Sequence, residues 1–337
     1  MINRQWLLRR RPVGPAMLED FDYRETAVPN RALRVGEILL RNQVFLCAPT
    51  MRNWMDSPGN SLYPSIPLGE PVLAPSAGEV IASAHLDFAP GDRVTTLGSW
   101  QDCEIIDGTA RATRAIPEGV STIDAMGRFG LNPLTGYFGM LRVGQPVAGE
   151  TVVVSGAAGS TGSTAAQIAR ILGCRVIGIA GGRDKCDWLV SECGIDAAID
   201  YKSANVEQRL SDLCPEGIDV FYDNVGGEIL QAAVENMARH GRIILCGQIA
   251  SYNDGRQPGG PCNMMRLVYG SIRMQGFLMG DYAADVPAAL FELGAWAKAG
   301  LIKYREDVRS GFKQIPTIFG ALFDGSNRGT LLVSIAD

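Results

Sequence analysis

Histidine is nearly missing from this chain. His85 and His240 are the only two among 337 residues. A zinc centre needs histidine, cysteine or carboxylate ligands converging on one point, and these two offer little. His85 follows a strand in ASAHLDF and His240 precedes a glycine, so both are expected on the surface or in caps. The eight cysteines (47, 103, 174, 186, 193, 214, 246 and 262) form no CxxC pair, which leaves no structural zinc lobe to read. Several sit inside apolar runs, as buried free thiols do, and disulfides are not expected. A GxSxG elbow is also missing, and with it the sign of a serine nucleophile. Excess positive charge is absent: 31 Lys plus Arg stand against 36 Asp plus Glu, a net charge of −5, which argues against nucleic acid as a partner. No apolar run approaches the roughly 20 residues of a membrane span. Arg9, Arg10 and Arg11 imitate the start of a targeting signal, but RPVGPAMLED follows without an apolar core, so the cytoplasm is the expected location. Internal repeats and low-complexity tracts are absent too.

What is present has the balance of a globular enzyme, with 46% hydrophobic and 20% charged residues. The length predicts two domains. Residues 1–121 read as short strands, at 37–46, 78–83 and 92–97, with Pro58-Gly59, Pro67 and Pro90-Gly91 between them. A small β-rich barrel is expected there. From Ile123 the pattern turns helical, with a break at Asn132-Pro133.

The stretch Thr151–Gly162, TVVVSGAAGSTG, organises the remainder. Val152, Val153 and Val154 have the composition of a buried parallel strand. Gly156, Gly159 and Gly162 follow at a spacing of three, and STAAQIARIL then shows helical spacing. Strand, glycine turn and helix together are the context of dinucleotide binding. Glycines let the backbone approach a pyrophosphate, and the helix N-terminus offers free N–H groups. The pattern is GxxGxxG rather than GxGxxG, and a turn that merely packs a helix on a strand is the competing reading.

Further strands are expected at 175–180, 197–200, 219–222, 242–246 and 273–279. Helices are expected at 184–193, 205–214, 228–239 and 286–299, and a polar loop at 251–261. Six strands alternating with helices make a doubly wound parallel α/β sheet. The tail, TLLVSI at 330–335, returns to β character and is expected to join the first domain. An NAD site wants a carboxylate at the end of the second strand. Ala180, Gly181 and Gly182 stand there, followed by Arg183 and Lys185, and cations suit a 2′-phosphate. This predicts NADP(H). Asp184 between the two cations, and a solvated helix start, are the opposing considerations.

Several motifs occur together in the chain: NRQWLLRRRPVG, FAPGDRVTTLGSWQDCEIIDG, LTGYFGMLRVGQPVAGETVVVSGAAGSTGS, GCRVIGIAGGRDKC, GIDAAIDYK, IDVFYDNVGGE and RMQGFLMGDY. With them the chain resembles the zinc-independent medium-chain dehydrogenase/reductases. Within these it is similar to the prostaglandin reductase and leukotriene B4 dehydrogenase group, and most to the bacterial curcumin-reductase-like proteins. The resemblance runs from about Asn3 to Ser334. It implies a GroES-like, barrel-like catalytic domain from both chain ends (1–121 and 305–337) and a Rossmann NADP(H)-binding domain (122–304). It implies NADPH-dependent reduction of a carbon–carbon double bond conjugated to a carbonyl, on a small molecule, by a cytoplasmic homodimer without metal.

Carried over by the resemblance, Gly159, Ser160, Thr161, Gly162 and Ser163 hold the pyrophosphate. Gly182, Lys185 and Tyr201 take the 2′-phosphate end. Asn224 in DNVGG faces the cofactor. Cys246, Gly247, Gln248, Ile249, Ala250, Ser251 and Tyr252 flank the nicotinamide side with Phe277, Leu278 and Met279, and Asn327 is a late cofactor contact. Tyr269 matches a tyrosine acting at the nicotinamide ribose and substrate carbonyl, where a phenol O–H stabilises an enolate. A core aromatic is its plainer reading. Three departures stand out. The family's DPYMR reads Ala48-Pro49-Thr50-Met51-Arg52, its Gly-Lys reads Gly329-Thr330, and its MPG reads Leu131-Asn132-Pro133. They point to a different or larger enone. A zinc-free alcohol dehydrogenase and a non-catalytic NADPH-binding protein are the competing functions.

Overall fold

The structure, a computed structural model, describes residues 2–57, 64–253 and 260–335. The Pro58-Gly59 turn and positions 254–259 of the polar loop lie outside them. The chain divides into two compact units. One comprises Met1–Gly130, Tyr252–Gly255 and Glu306–Asp337, the other Leu131–Ser251 and Arg256–Arg305.

The first unit opens with β1 (Ile2–Leu8), β2 (Phe21–Ala27), β3 (Glu37–Leu46) and a short α1 (Met51–Trp54). It continues with β4 (Leu73–Ser83), β5 (Arg93–Ser99), β6 (Cys103–Asp107), β7 (Arg114–Ala115) and α2 (Thr122–Met126). In β3, Ile38, Leu40, Asn42 and Val44 are buried between more exposed neighbours, the period of two of a strand with one covered face. The β1–β2 pair escaped the sequence reading. INRQWLL lacks alternation because buried Asn3 is a polar core residue, its Oδ1 accepting the Cys103 N–H at 2.8 Å.

The second unit holds α3 (Leu131–Phe138), β8 (Thr151–Ser155), α4 (Ser160–Ile171), β9 (Arg175–Ala180), α5 (Arg183–Ser191) and β10 (Ala197–Asp200). Then come α6 (Val206–Leu213), β11 (Ile218–Asp223), α7 (Gly227–Glu235), β12 (Met237–Leu245), α8 (Met265–Gly270), β13 (Arg273–Gly276) and α9 (Val286–Lys298). The six strands pair in parallel in the order β10-β9-β8-β11-β12-β13. That order reverses direction between β8 and β11, the switch point where such sheets bind ligands. Both faces are covered. Val152, Val154, Val220 and Tyr222 pack on one side with α3, α4 and α9. Val153, Ile177, Ile179 and Phe221 pack on the other with α6 and α7. Each fully buried valine of β8 contributes about 1.5–3 kcal/mol.

The chain then returns to the first unit as β14 (Glu306–Ser310), α10 (Ile315–Asp324) and β15 (Thr330–Ser334). β15 runs antiparallel to β3 and parallel to β14 in a seven-stranded sheet.

Two boundaries differ from expectation. The units part at 130/131 rather than 121/122, because α2 packs on β3 and β4 with Ala125 and Met126 buried. Asn132-Pro133 does not break a helix. Pro133 lies in the first turn of α3, where its missing N–H forfeits no helical bond.

Candidate functional site

The C-terminal ends of the parallel strands carry most of the expected residues. After β8, Gly159 caps α4 in an extended conformation and Gly156 turns at φ +57°. The N–H groups of Ser160, Thr161 and Gly162 have no carbonyl one turn earlier to bond, so they open outward at the positive end of the helix. Ser160 Oγ is buried and has no hydrogen-bond partner among the described residues. An orphaned hydroxyl beside free N–H groups fits a pyrophosphate acceptor. Ser163 Oγ donates to the Ser160 carbonyl at 3.3 Å.

At the end of β9 stand Ala180, Gly181 and Gly182, the last at φ +97° and capping α5. Half-buried Lys185 lies in the first turn of α5. Exposed Arg183 pairs instead with Asp187 at 3.5 Å, one turn along the same helix. Tyr201 follows β10, 47% exposed, with its ring against Gly181.

β11 ends in Asp223 and Asn224. Asp223 is buried, and its Oδ1 accepts Ser155 Oγ at 2.8 Å and the Val225 and Gly226 N–H groups at 3.0 Å. Burial pushes its pKa up, against those donors. Asn224 is tied to β8 by its N–H to Ser155 Oγ (2.8 Å) and by Nδ2 to the Ser155 carbonyl (2.7 Å). Ser155 and Asp223 thus clamp the two strands of the switch point. The sequence reading missed both, although a serine ending one strand and an aspartate ending its neighbour were visible.

The segment Cys246–Ser251 is laced to the same turn. The Cys246 and Gly247 N–H groups donate to the Asp223 carbonyl, and that of Ala250 to Val225. Gln248 packs over Gly226, Ile249 N–H donates to the Asn224 carbonyl, and Ser251 Oγ donates to Gln248. Burial drives the Cys246 thiol to about 11, partly offset by its hydrogen bond with Tyr222. It is therefore a thiol at neutral pH, a poor nucleophile toward an electrophile. Tyr252 comes next in the chain. Phe277 and Met279 are half-buried past the end of β13, and Leu278 is exposed.

Two further expected residues belong to other elements. Tyr269 is one of them. It lies on α8, 79% exposed, before β13 begins. Arg266 anchors α8 to the carbonyl of Glu235, at the start of β12. Asn327 belongs to the first unit, where its Nδ2 donates to the Gly329 carbonyl at 3.1 Å.

The first unit contains a cavity of about 570 Å³ lined by Gln5, Arg24, Pro67, Glu70 and Gln101 among others, and it includes none of the expected cofactor residues. Cys47 is buried there, its thiol pushed up to about 12 by burial. His85 accepts the Asp87 N–H through Nδ1, and exposed His240 sits at φ +63° within β12. Among the described residues no three His, Cys, Asp or Glu side chains converge as metal ligands.

Residues 160–295 match the family described as zinc-binding dehydrogenase, and residues 4–113 match the N-terminal domain of oxidoreductase. The chain is 34% identical to the NADPH-dependent curcumin reductase of Escherichia coli, over 99% of this chain and 97% of that one. It is also 34% identical to the NADP(+)-dependent 2-alkenal reductase of Nicotiana tabacum, over 99% and 98%. CurA from Vibrio vulnificus, solved in complex with NADPH, superposes with a TM-score of 0.92 at 35% identity over 99% of both chains.

Proposed function

This chain belongs to the zinc-binding dehydrogenase family, in the branch of NADP-dependent double-bond reductases that includes curcumin, 2-alkenal and prostaglandin reductases, and from that premise we propose that it reduces an enone or enal by metal-free hydride transfer to the β-carbon. It is an NADP-dependent oxidoreductase, and NADPH is its cofactor. The observation that carries the reading is the α4 N-terminus, with its orphaned Ser160 hydroxyl, at the switch point of the sheet. NADPH, when bound, supplies the hydride.

The chain's own residues do the rest. Ser160, Thr161, Gly162 and Ser163 hold the pyrophosphate, and Lys185 and Tyr201 hold the 2′-phosphate. Asn224 and the 246–251 turn, stiffened by Asp223, orient the nicotinamide end beside Phe277–Met279. The O–H donor that stabilises the enolate oxygen is the role the resemblance gives to Tyr269. The test is steady-state NADPH oxidation with a panel of enones and enals, with and without a chelator. Turnover unchanged by chelation supports the reading. Turnover of secondary alcohols instead, or loss of rate on chelation, overturns it.

Lys185→Ala is expected to weaken NADPH by about 1.5–3 kcal/mol, the worth of one charged contact to phosphate, and to leave NADH nearly unaffected. Fluorescence titration reads both. Equal weakening removes Lys185 from the 2′-phosphate.

We infer a homodimer formed through the β13 edge. In α8 and β13 no residue is buried, while Met264, Val268, Tyr269 and Leu278 are each more than half exposed. An apolar patch beside an open strand edge suits a second copy of itself. Val268→Asp with Tyr269→Asp is expected to yield monomers in sedimentation velocity, and an unaltered dimer would sink this interface. The eight cysteines are free thiols, as a reducing cytoplasm allows.

A further inference from the structure

The sequence places no carboxylate at the end of β9, yet the structure puts one there. It comes from the neighbouring strand. β10 runs parallel to β9 with Asp200 opposite Ala180, so both strands end at the same edge. Asp200 Oδ1 accepts the Gly182 N–H at 2.8 Å and the Lys202 N–H at 3.0 Å, and Oδ2 accepts the Ser203 hydroxyl at 3.1 Å.

We propose that Asp200 is a positioning residue that sets the preference for NADPH over NADH, by tying together the two elements that carry Lys185 and Tyr201. The proposal rests on the assignment of those two residues to the 2′-phosphate. Gly182 caps α5, whose first turn bears Lys185. The Gly182 N–H is held by Asp200 rather than by any cap within α5. On the other side, Tyr201 is the residue after Asp200. Its N–H donates to the Ala180 carbonyl at 3.1 Å, and its ring lies where a side chain at 181 would be: a Cβ there would come within 2.8 Å of the ring and the phenol oxygen. One carboxylate therefore registers the cation of α5 against the phenol of the β10 turn. The same bonds, Gly182 N–H foremost, hold the Asp200 carboxyl below its ordinary pKa, so it is ionised at neutral pH. An ionised carboxylate already accepting three protein donors is a weakened acceptor for a ribose hydroxyl, which is the use an NAD site makes of its acid. Here the acid builds the phosphate seat instead of reading the sugar.

The test uses three variants of the full chain, with NADPH and NADH titrated separately and kcat/KM measured with each. Asp200→Ala is expected to lower the NADPH-to-NADH ratio of kcat/KM at least tenfold, through KM for NADPH, with NADH values held within about twofold. Asp200→Asn keeps an oxygen for the Gly182 N–H and is expected to stay within threefold of the parent. Gly181→Ala displaces the Tyr201 ring with Asp200 intact and is expected to lower the same ratio. Tighter NADPH binding by Asp200→Ala or Asp200→Asn would show the acid to be a repulsive discriminator and overturn the proposal. An unchanged ratio, or an equal loss with both cofactors, overturns it as well. A parent enzyme that does not prefer NADPH refutes the 2′-phosphate assignment itself, a result read before any variant is made.

Discussion

Gly162→Ala is expected to lower NADPH affinity by about a hundredfold, or about 2.8 kcal/mol at 1.4 kcal/mol per tenfold. The reason is close approach. A Cβ at 162 would lie 2.3 Å from the Gly156 carbonyl oxygen and 2.8 Å from Ala157 Cα. Both are backbone atoms of the turn between β8 and α4, so no rotamer change relieves the clash. Either α4 lifts off the turn or the turn itself shifts. The N–H groups of Ser160 and Thr161 move with it, away from the pyrophosphate they are placed to bind. Overpacking of this kind also costs about 1–3 kcal/mol of stability. Gly159→Ala is the milder comparison and is expected to cost less, because its Cβ would lie 3.3 Å from the Gly156 carbonyl oxygen, a tight contact that a shift of a few tenths of an ångström relieves, at a φ of −77° open to any residue. Fluorescence titration with NADPH, beside calorimetry of the apo protein, measures both effects. An affinity for Gly162→Ala equal to that of the parent would mean that α4 does not seat the cofactor.

Arg52→Met is expected to destabilise the first unit by about 3–5 kcal/mol, the cost of breaking a buried ionic group from one side. Arg52 is 1% exposed. Its Nη2 donates to the Pro12 carbonyl at 3.0 Å, Nε and Nη2 reach the Gly14 carbonyl at 3.1 and 3.0 Å, and Nη1 meets Asp56 at 2.6 Å. Methionine fills the volume but leaves two carbonyls without donors, each costing about 1–3 kcal/mol. Asp56 is half-exposed and rehydrates, which favours the lower end. For a domain of this size about 3 kcal/mol corresponds to a fall in Tm of roughly 6–12 °C. Arg52→Lys is expected to rescue little, since a point charge cannot fork to two carbonyls at once. A calorimetric shift below about 2 °C would show that the 12–14 segment is held by something else. The stretch Ala48–Arg52 thus has a structural anchor at its end, whatever its first residues do for substrate choice.

The second unit was legible because its signals are local. Three consecutive valines, glycines at a spacing of three and an amphipathic helix lie within one βα turn, and parallel strands buried on both faces need no alternation to be seen. The first unit hid its opening strand, because Asn3 is satisfied by Cys103 and Arg4 by Asp102, each about a hundred residues away in the chain.

By itself the sequence determined the two-part α/β organisation, the glycine turn between β8 and α4 and the absence of a carboxylate from the end of β9, since each is a property of neighbouring residues. Tertiary structure alone decided that Asp200 returns a carboxylate to that strand end and that Ser155 and Asp223 lock the switch point. Those outcomes depend on parallel pairing in register between strands whose partners lie twenty to seventy residues apart in the chain, and no local pattern encodes which side chain such pairing brings next to which.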